Sequence, residues 1–222
     1  MTAPAPRVLP LFATPFGVVA VPRAETLNPT LNEFILAHAT EERRDPLDRS
    51  GELAFLSRDD LFEWPDAPVR ELAASILTGV RAVVASINHF SEAEFGALRA
   101  ESRAWFTIVR FDGHVPPRNY PNASWCAVYC VAAPEPSTAR FDSGVLRMHE
   151  ARLGTFSDAT NCLTHIPYRP GHYTWRPVPG ELAVFPASLT HEIALLRAVT
   201  PLVLVTARVR YVGPGQTGLP WW

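Results

Sequence analysis

Apolar positions along this chain change their period once. From Pro68 they fall at Val69, Leu72, Ala73, Ile76, Leu77, Val80, Val83, Val84 and Ile87, the i, i+3, i+4 stripe of an amphipathic helix. Leu31, Phe34 and Ile35 also sit at helical spacing, with Asn28-Pro29 as a start signal. Ser91 followed by Glu94 reads as a capping box opening a short third helix through Ala100. After Ala104 the helical period is gone. "AWFTIVRF", "SWCAVYCVA", "SGVLRMHEA", "HYTWRPV", "GELAVFPA" and "PLVLVTARVRYV" are short apolar, β-branched or aromatic runs split by Pro and Gly. The early "VLPLFATPFGVVAV" predicts a strand or two, and "EERRDPLDRSGE" a polar loop. Helices followed by many closely spaced strands predict an α+β chain with a β-sandwich or small barrel.

Composition narrows the function classes. With 222 residues, 47% apolar and 19% charged, the chain suits one globular domain with a full core. A formal charge of −2 offers no electrostatic case for nucleic acid or an anionic membrane. No apolar run approaches the ~20 residues that span a bilayer. The N-terminus lacks a basic stretch followed by a continuous apolar one, so a cytoplasmic chain is expected. Cys126, Cys130 and Cys162 lack C-x-x-C spacing and read as reduced thiols. All 20 Lys-plus-Arg positions are Arg, which excludes a lysine Schiff base and a P-loop lysine.

One histidine stands out. In "GELAVFPASLTHEI" a strand runs to Phe185-Pro186, a turn follows, and His191 opens another strand. A histidine held at a barrel mouth can ligate a metal or act as a base. Cys126, Val128 and Cys130 share one face of their strand, and nothing nearby argues for a lowered thiol pKa. Trp105, Trp125 and Trp175 read as wall residues, which would favour a flat apolar ligand if they faced a lumen.

The segments "SRAWFTIVRFDG", "PRNYPNASWCAVYCVAAP", "SGVLRMHEAR" and "PGELAVFPASLTHEI" resemble a group of 2-oxoglutarate/Fe(II)-dependent oxygenases. "LFATPFGVV" and "GELAFLSRDDL" fit the same group's N-terminal part, so the likeness covers nearly the whole chain. It implies a double-stranded β-helix, or jelly roll, with supporting helices. The expected division is a single domain over 1–222, with strands and helices in about 1–103, the jelly-roll core in about 104–212 and a tail at 213–222.

The resemblance also implies an iron site, and there the residues depart from it. Such oxygenases hold Fe(II) with an early His-x-acid or His-x-His pair and a distal His. The distal position maps onto His191 and the early pair onto Arg118 and Tyr120. A guanidinium stays protonated and cannot ligate iron. The arginine that would clamp 2-oxoglutarate belongs in "TPLVLVT", which has none. The next downstream candidate, Arg208, lies roughly 20 Å further along a strand than Leu202.

The reading that follows is a repurposed member of that superfamily, with no cofactor, doing metal-independent acid/base chemistry on a small organic substrate. Cyclisation, isomerisation or dehydration would fit. His191 would be the base or acid, Tyr120 its proton partner, and Arg118 the holder of a carboxylate or developing oxyanion. Trp125, Tyr129, Trp105 and Arg208 would contact the substrate. One alternative is an active Fe(II)/2-oxoglutarate oxygenase whose triad is rebuilt from His191, His114 and His149 or Glu150. Another is a non-catalytic binding protein. A homodimer is open.

Overall fold

The computed structural model describes residues 12–48, 50–150, 165, 171–218, 220 and 221. In chain order the elements are β1 (Gly17–Ala20), α1 (Ala24–Ala37), β2 (Ala54–Leu56), α2 (Ala67–Ile87), α3 (Glu92–Gly96), β3 (Arg99–Val109), β4 (Val115–Arg118), β5 (Trp125–Ala132), β6 (Leu146–His149), β7 (His172–Trp175), β8 (Glu181–Pro186), β9 (His191–Ile193) and β10 (Leu202–Val212). A six-stranded sheet has the order β1-β8-β5-β10-β3-β2, and a four-stranded sheet the order β4-β9-β6-β7. All the strand pairs are antiparallel. From β3 onward the chain passes back and forth between the sheets, closing them into the expected double-stranded β-helix.

Alternation along each strand divides the core in two. On β10, Val203, Val205, Ala207 and Val209 join the cluster formed with α1 and α2. Leu202 and Leu204 point instead between the sheets, with Trp105, Cys126, Val128, Cys130 and Phe185. The larger sheet is therefore covered on both faces, which explains why β5, β8 and β10 read as near-continuous apolar runs.

The helix α2 follows its stripe, burying Val69, Leu72, Ile76, Val80 and Val84. Gly79 lies on that same face because a Cβ there would come within 2.5 Å of Leu182 Cδ2 on β8. The other helices differ from expectation. α1 begins at Ala24, not after Asn28, and Pro29 lies inside it. Pro29 stands near the start of the helix, so its missing N–H removes one early backbone bond rather than breaking the helix. Burial of Leu27, Leu31 and Ile35 holds the turn in place. The Ser91 capping box forms, with the Glu94 N–H donating to Ser91 Oγ at 3.2 Å. Yet α3 stops at Gly96, because Arg99 is already paired with Val212 in the sheet.

Two strands were not foreseen as strands. β2 is short and pairs only with β3, at the edge of the larger sheet. β4 carries Pro116 and Pro117, residues that in sequence signal a loop. It is an edge strand, where a residue without an N–H is tolerated. Among the described residues, no helix is long and apolar enough to cross a membrane.

Candidate functional site

Two loops meet at one end of the space between the sheets. The Tyr120 N–H donates to Ala187 O at 2.8 Å, and the Ala187 N–H donates to Ser124 O at 3.0 Å. This ties the β4–β5 loop to the β8–β9 turn. In that turn the Leu189 N–H donates to Pro186 O at 3.0 Å, which delivers His191 into β9 with its side chain inward. His191 is only 5% exposed, and its register partners are Arg118 on β4 and Met148 on β6.

The His191 ring rests between aromatic walls. Its centroid lies 5.0 Å from Phe185 and 5.5 Å from Tyr120. Tyr120 in turn meets Trp105 edge-on at 5.2 Å. His191 Nδ1 is 2.9 Å from Leu189 O. A carbonyl only accepts, so the proton of the neutral ring is assigned to Nδ1 and Nε2 is left as an acceptor. Burial pushes the imidazole pKa down to about 4, with the Arg118 and His149 charges adding to the effect and the Leu189 carbonyl opposing it.

The neighbouring groups also have settled charges. Burial, and more weakly the nearby Cys126 thiol, push the Tyr120 hydroxyl above its ordinary value; the nearby Arg118 and Arg208 charges oppose this. Tyr120 is thus a phenol, able to donate. Arg208 ion-pairs with Asp59 at 2.6 Å, and its guanidinium lies over Tyr120 and Trp105 at 5.7 and 5.8 Å. Trp221 closes over the other side of Arg208 at 5.2 Å and over Arg210 at 4.1 Å. Arg118, by contrast, donates from Nε to Pro116 O at 3.4 Å and makes no ion pair among the described residues.

Between the sheets lies a cavity of about 20 Å³, bounded by Trp105, Arg118, Tyr120, His191, Leu204 and Thr206, among others. That holds about one water-sized occupant.

Of the residues singled out from the sequence, His191, Tyr120, Arg118 and Trp105 meet here. Arg208 stands beside them, already neutralised. Trp125 and Tyr129 do not belong to the site. They lie on the helix-facing side of β5, where Trp125 packs on that cluster and Tyr129 donates to Asn28 Oδ1 at 2.6 Å. The alternation of β5 had set them opposite Cys126 and Cys130, and it is the cysteine face that looks between the sheets. Both of these thiols are buried, and burial raises their pKa. Cys162 lies outside the described residues. The sequence reading missed Phe185 and Thr206, whose only signal was strand parity with Cys126 and Val128.

The histidines and acids proposed to rebuild a triad do not converge. His114 is exposed beside Val115, which pairs with Ile193, so it stands at the far end of β4 from His191. His149 turns to the outer side of β6, 3.5 Å from Glu192, which pairs with Arg147. Glu150 follows the strand end, its N–H bonded to Gly171 O at 2.9 Å. Among the described residues, no group of three His, Cys, Asp or Glu side chains could hold a metal ion. One imidazole beside a guanidinium and a protonated phenol does not fit Fe(II), which needs several deprotonated or neutral donors.

No protein-family model matches the chain, and no curated protein matches it. Solved structures do. A Pseudomonas putida prolyl-4-hydroxylase aligns at 17% identity over 89% of this chain and 93% of its own, with a TM-score of 0.57. The non-heme alpha ketoglutarate dependent carbocyclase SnoK from nogalamycin biosynthesis aligns at 12% identity over 94% and 83%, TM-score 0.61. HygX from Streptomyces hygroscopicus, with nickel and 2-oxoglutarate bound, aligns at 11% identity over 94% and 86%, TM-score 0.57. At these identities the likeness is one of fold, and it identifies the chain as a double-stranded β-helix protein built like the 2-oxoglutarate-dependent enzymes.

Proposed function

We propose that this protein is an enzyme acting on a small organic substrate by metal-independent acid/base chemistry at the His191 end of the lumen. The observation that carries this is the group facing His191: its partner across the β4–β9 ladder is Arg118, and its ring neighbour is Tyr120. These are groups that move or stabilise protons and charge. They are not groups that grip a metal. The double-stranded β-helix hosts a named carbocyclase as well as a named hydroxylase, so ring formation is compatible with this fold, though that carbocyclase is named as alpha ketoglutarate dependent.

The roles follow from the protonation states. His191 is neutral across the neutral range, with Nδ1–H anchored on Leu189 O and Nε2 free to accept a proton. Tyr120 keeps its proton and can supply it where negative charge develops. Arg118 donates to an oxygen at the same spot. A base and an acid on either side of a reacting centre serve cyclisation, isomerisation or dehydration alike. The pair is asked for ~10²–10⁴-fold, the ordinary yield of positioned acid/base groups.

The test is anaerobic Fe(II) titration of protein stripped of metal on a chelating resin, with and without 2-oxoglutarate, followed by calorimetry. The expected result is no one-to-one complex in either arm. Micromolar binding strengthened by 2-oxoglutarate, with succinate released on admission of air, would overturn the proposal in favour of an oxygenase.

A further inference from the structure

The charges around Tyr120 do not balance. Two guanidiniums flank its ring end. Arg208 is neutralised by Asp59 at 2.6 Å and sandwiched between Trp221 on one side and Trp105 with Tyr120 on the other. Arg118 makes no ion pair among the described residues: its Nε donates to the Pro116 carbonyl at 3.4 Å, and Glu192, the acid that lines the same cavity, is taken by Arg147 at 2.6 Å. His191 offers a ring acceptor but no negative charge, and Cys126 is a buried thiol. Among the described residues, Arg118 is therefore the cation of this lumen end that makes no ion pair. A partly desolvated cation of this kind is stabilised by an anion that also satisfies its hydrogen-bond donors.

We propose that Arg118 is the anchor for a carboxylate, and that the ligand of this lumen is a small organic acid whose carboxylate enters while its remainder stays towards the mouth. Three features select that class. The guanidinium edge presents paired N–H donors that match a planar carboxylate in bidentate fashion. The Tyr120 hydroxyl, held as a phenol by burial on the wall of the same cavity, has its proton to donate to a carboxylate oxygen. The cavity of about 20 Å³ has room for about one water-sized group, so only the tip of a ligand enters it and the remainder lies outside. Arg208 already has its charge met by Asp59. The proposal rests on the metal-independent reading of the same site.

Calorimetric titration of the metal-stripped native protein tests it, with formate, bicarbonate, acetate and benzoate as probes and acetamide as the neutral isostere of acetate. The expected result is that carboxylates bind and acetamide does not, and that acetate or benzoate binds at least tenfold more tightly than formate or bicarbonate. The Arg118→Gln variant should lose at least tenfold in acetate affinity with its circular dichroism spectrum retained, while Arg118→Lys keeps part of it. Acetamide binding as well as acetate, no carboxylate binding at all, or binding unchanged in Arg118→Gln would each overturn the proposal. Preference for bicarbonate or formate over the organic acids would overturn the assignment to an organic ligand. The acetate–acetamide comparison needs no variant, so it stands even where Arg118→Gln fails to fold. Failure of the metal-independent reading would appear elsewhere, as Fe(II) binding, and would leave this metal-free comparison readable.

Discussion

At the scale of the residue, His191 decides most of what this site can do. Its ring is buried, its Nδ1 is committed to a backbone carbonyl, and the nearest charge across the ladder is a cation. Each of these favours the neutral imidazole. The folded-state pKa of about 4 lies below the ordinary value of 6.5. Between those two values the unfolded chain binds the extra proton and the folded chain does not, so stability is intact above 6.5 and is lost as pH falls through the window. The full loss amounts to about 3 kcal/mol. Denaturant unfolding of the native protein and of His191→Gln should converge in pH dependence only when this term is absent. The expected outcome is a steeper decline from pH 6.5 to 4 in the native protein, and an imidazole NMR signal for His191 that does not move above pH 5.5. A titration midpoint near 6.5 would contradict the burial seen here. His191 was legible in the sequence as a turn-following histidine at a strand start. Arg118 was set beside it only by the family resemblance, because the two lie far apart in the chain, and it is the β4–β9 register that joins them.

At the scale of the element, β5 shows what periodicity can and cannot tell. The alternation of Trp125, Ala127 and Tyr129 with Cys126, Val128 and Cys130 was plain in the sequence. Which side faced the lumen was not, since helices cover one face of the sheet and the smaller sheet the other, and both faces are apolar. Tyr129 and Trp125 consequently read as substrate contacts when they serve the helix layer. The hydroxyl of Tyr129 is spent on Asn28, a buried polar residue of α1. Tyr129→Phe leaves the Asn28 oxygen unsatisfied and should cost about 1–3 kcal/mol in chemical denaturation. Acetate affinity should stay the same in this variant; a loss would place Tyr129 in the site after all. β4 is the opposite lesson. Its two prolines are loop signals in sequence and edge-strand residues in the fold, and only the neighbouring strand distinguishes the two. The long stripe of α2 needed no such help, because its polar side faces water and its period is unambiguous.

At the scale of the molecule, helices followed by many short strands made a β-sandwich or small barrel legible, the resemblance narrowed it to a double-stranded β-helix, and the two-sheet order agrees. The tail was not legible. It returns to the larger sheet, where Gly218 passes so close to the Glu101–Arg210 ion pair that no side chain would fit, and Trp221 covers Arg208 and Arg210. The register of β4 against β9 carries a consequence for how far this barrel stands from a metalloprotein on a map of mutations. Position 118 already faces His191, and position 120 already touches its ring. Arg118→His together with Tyr120→Asp, each within reach of a single base change from a suitable codon, would set three donors around one point without moving the backbone. That double variant should bind Ni(II) one-to-one, and adding His191→Ala should abolish the binding. It should gain nothing from 2-oxoglutarate, because Leu202 and Leu204 still line the strand where an anchoring cation would be needed. In such a landscape a metal site lies a shallow step away and a co-substrate clamp a deep one.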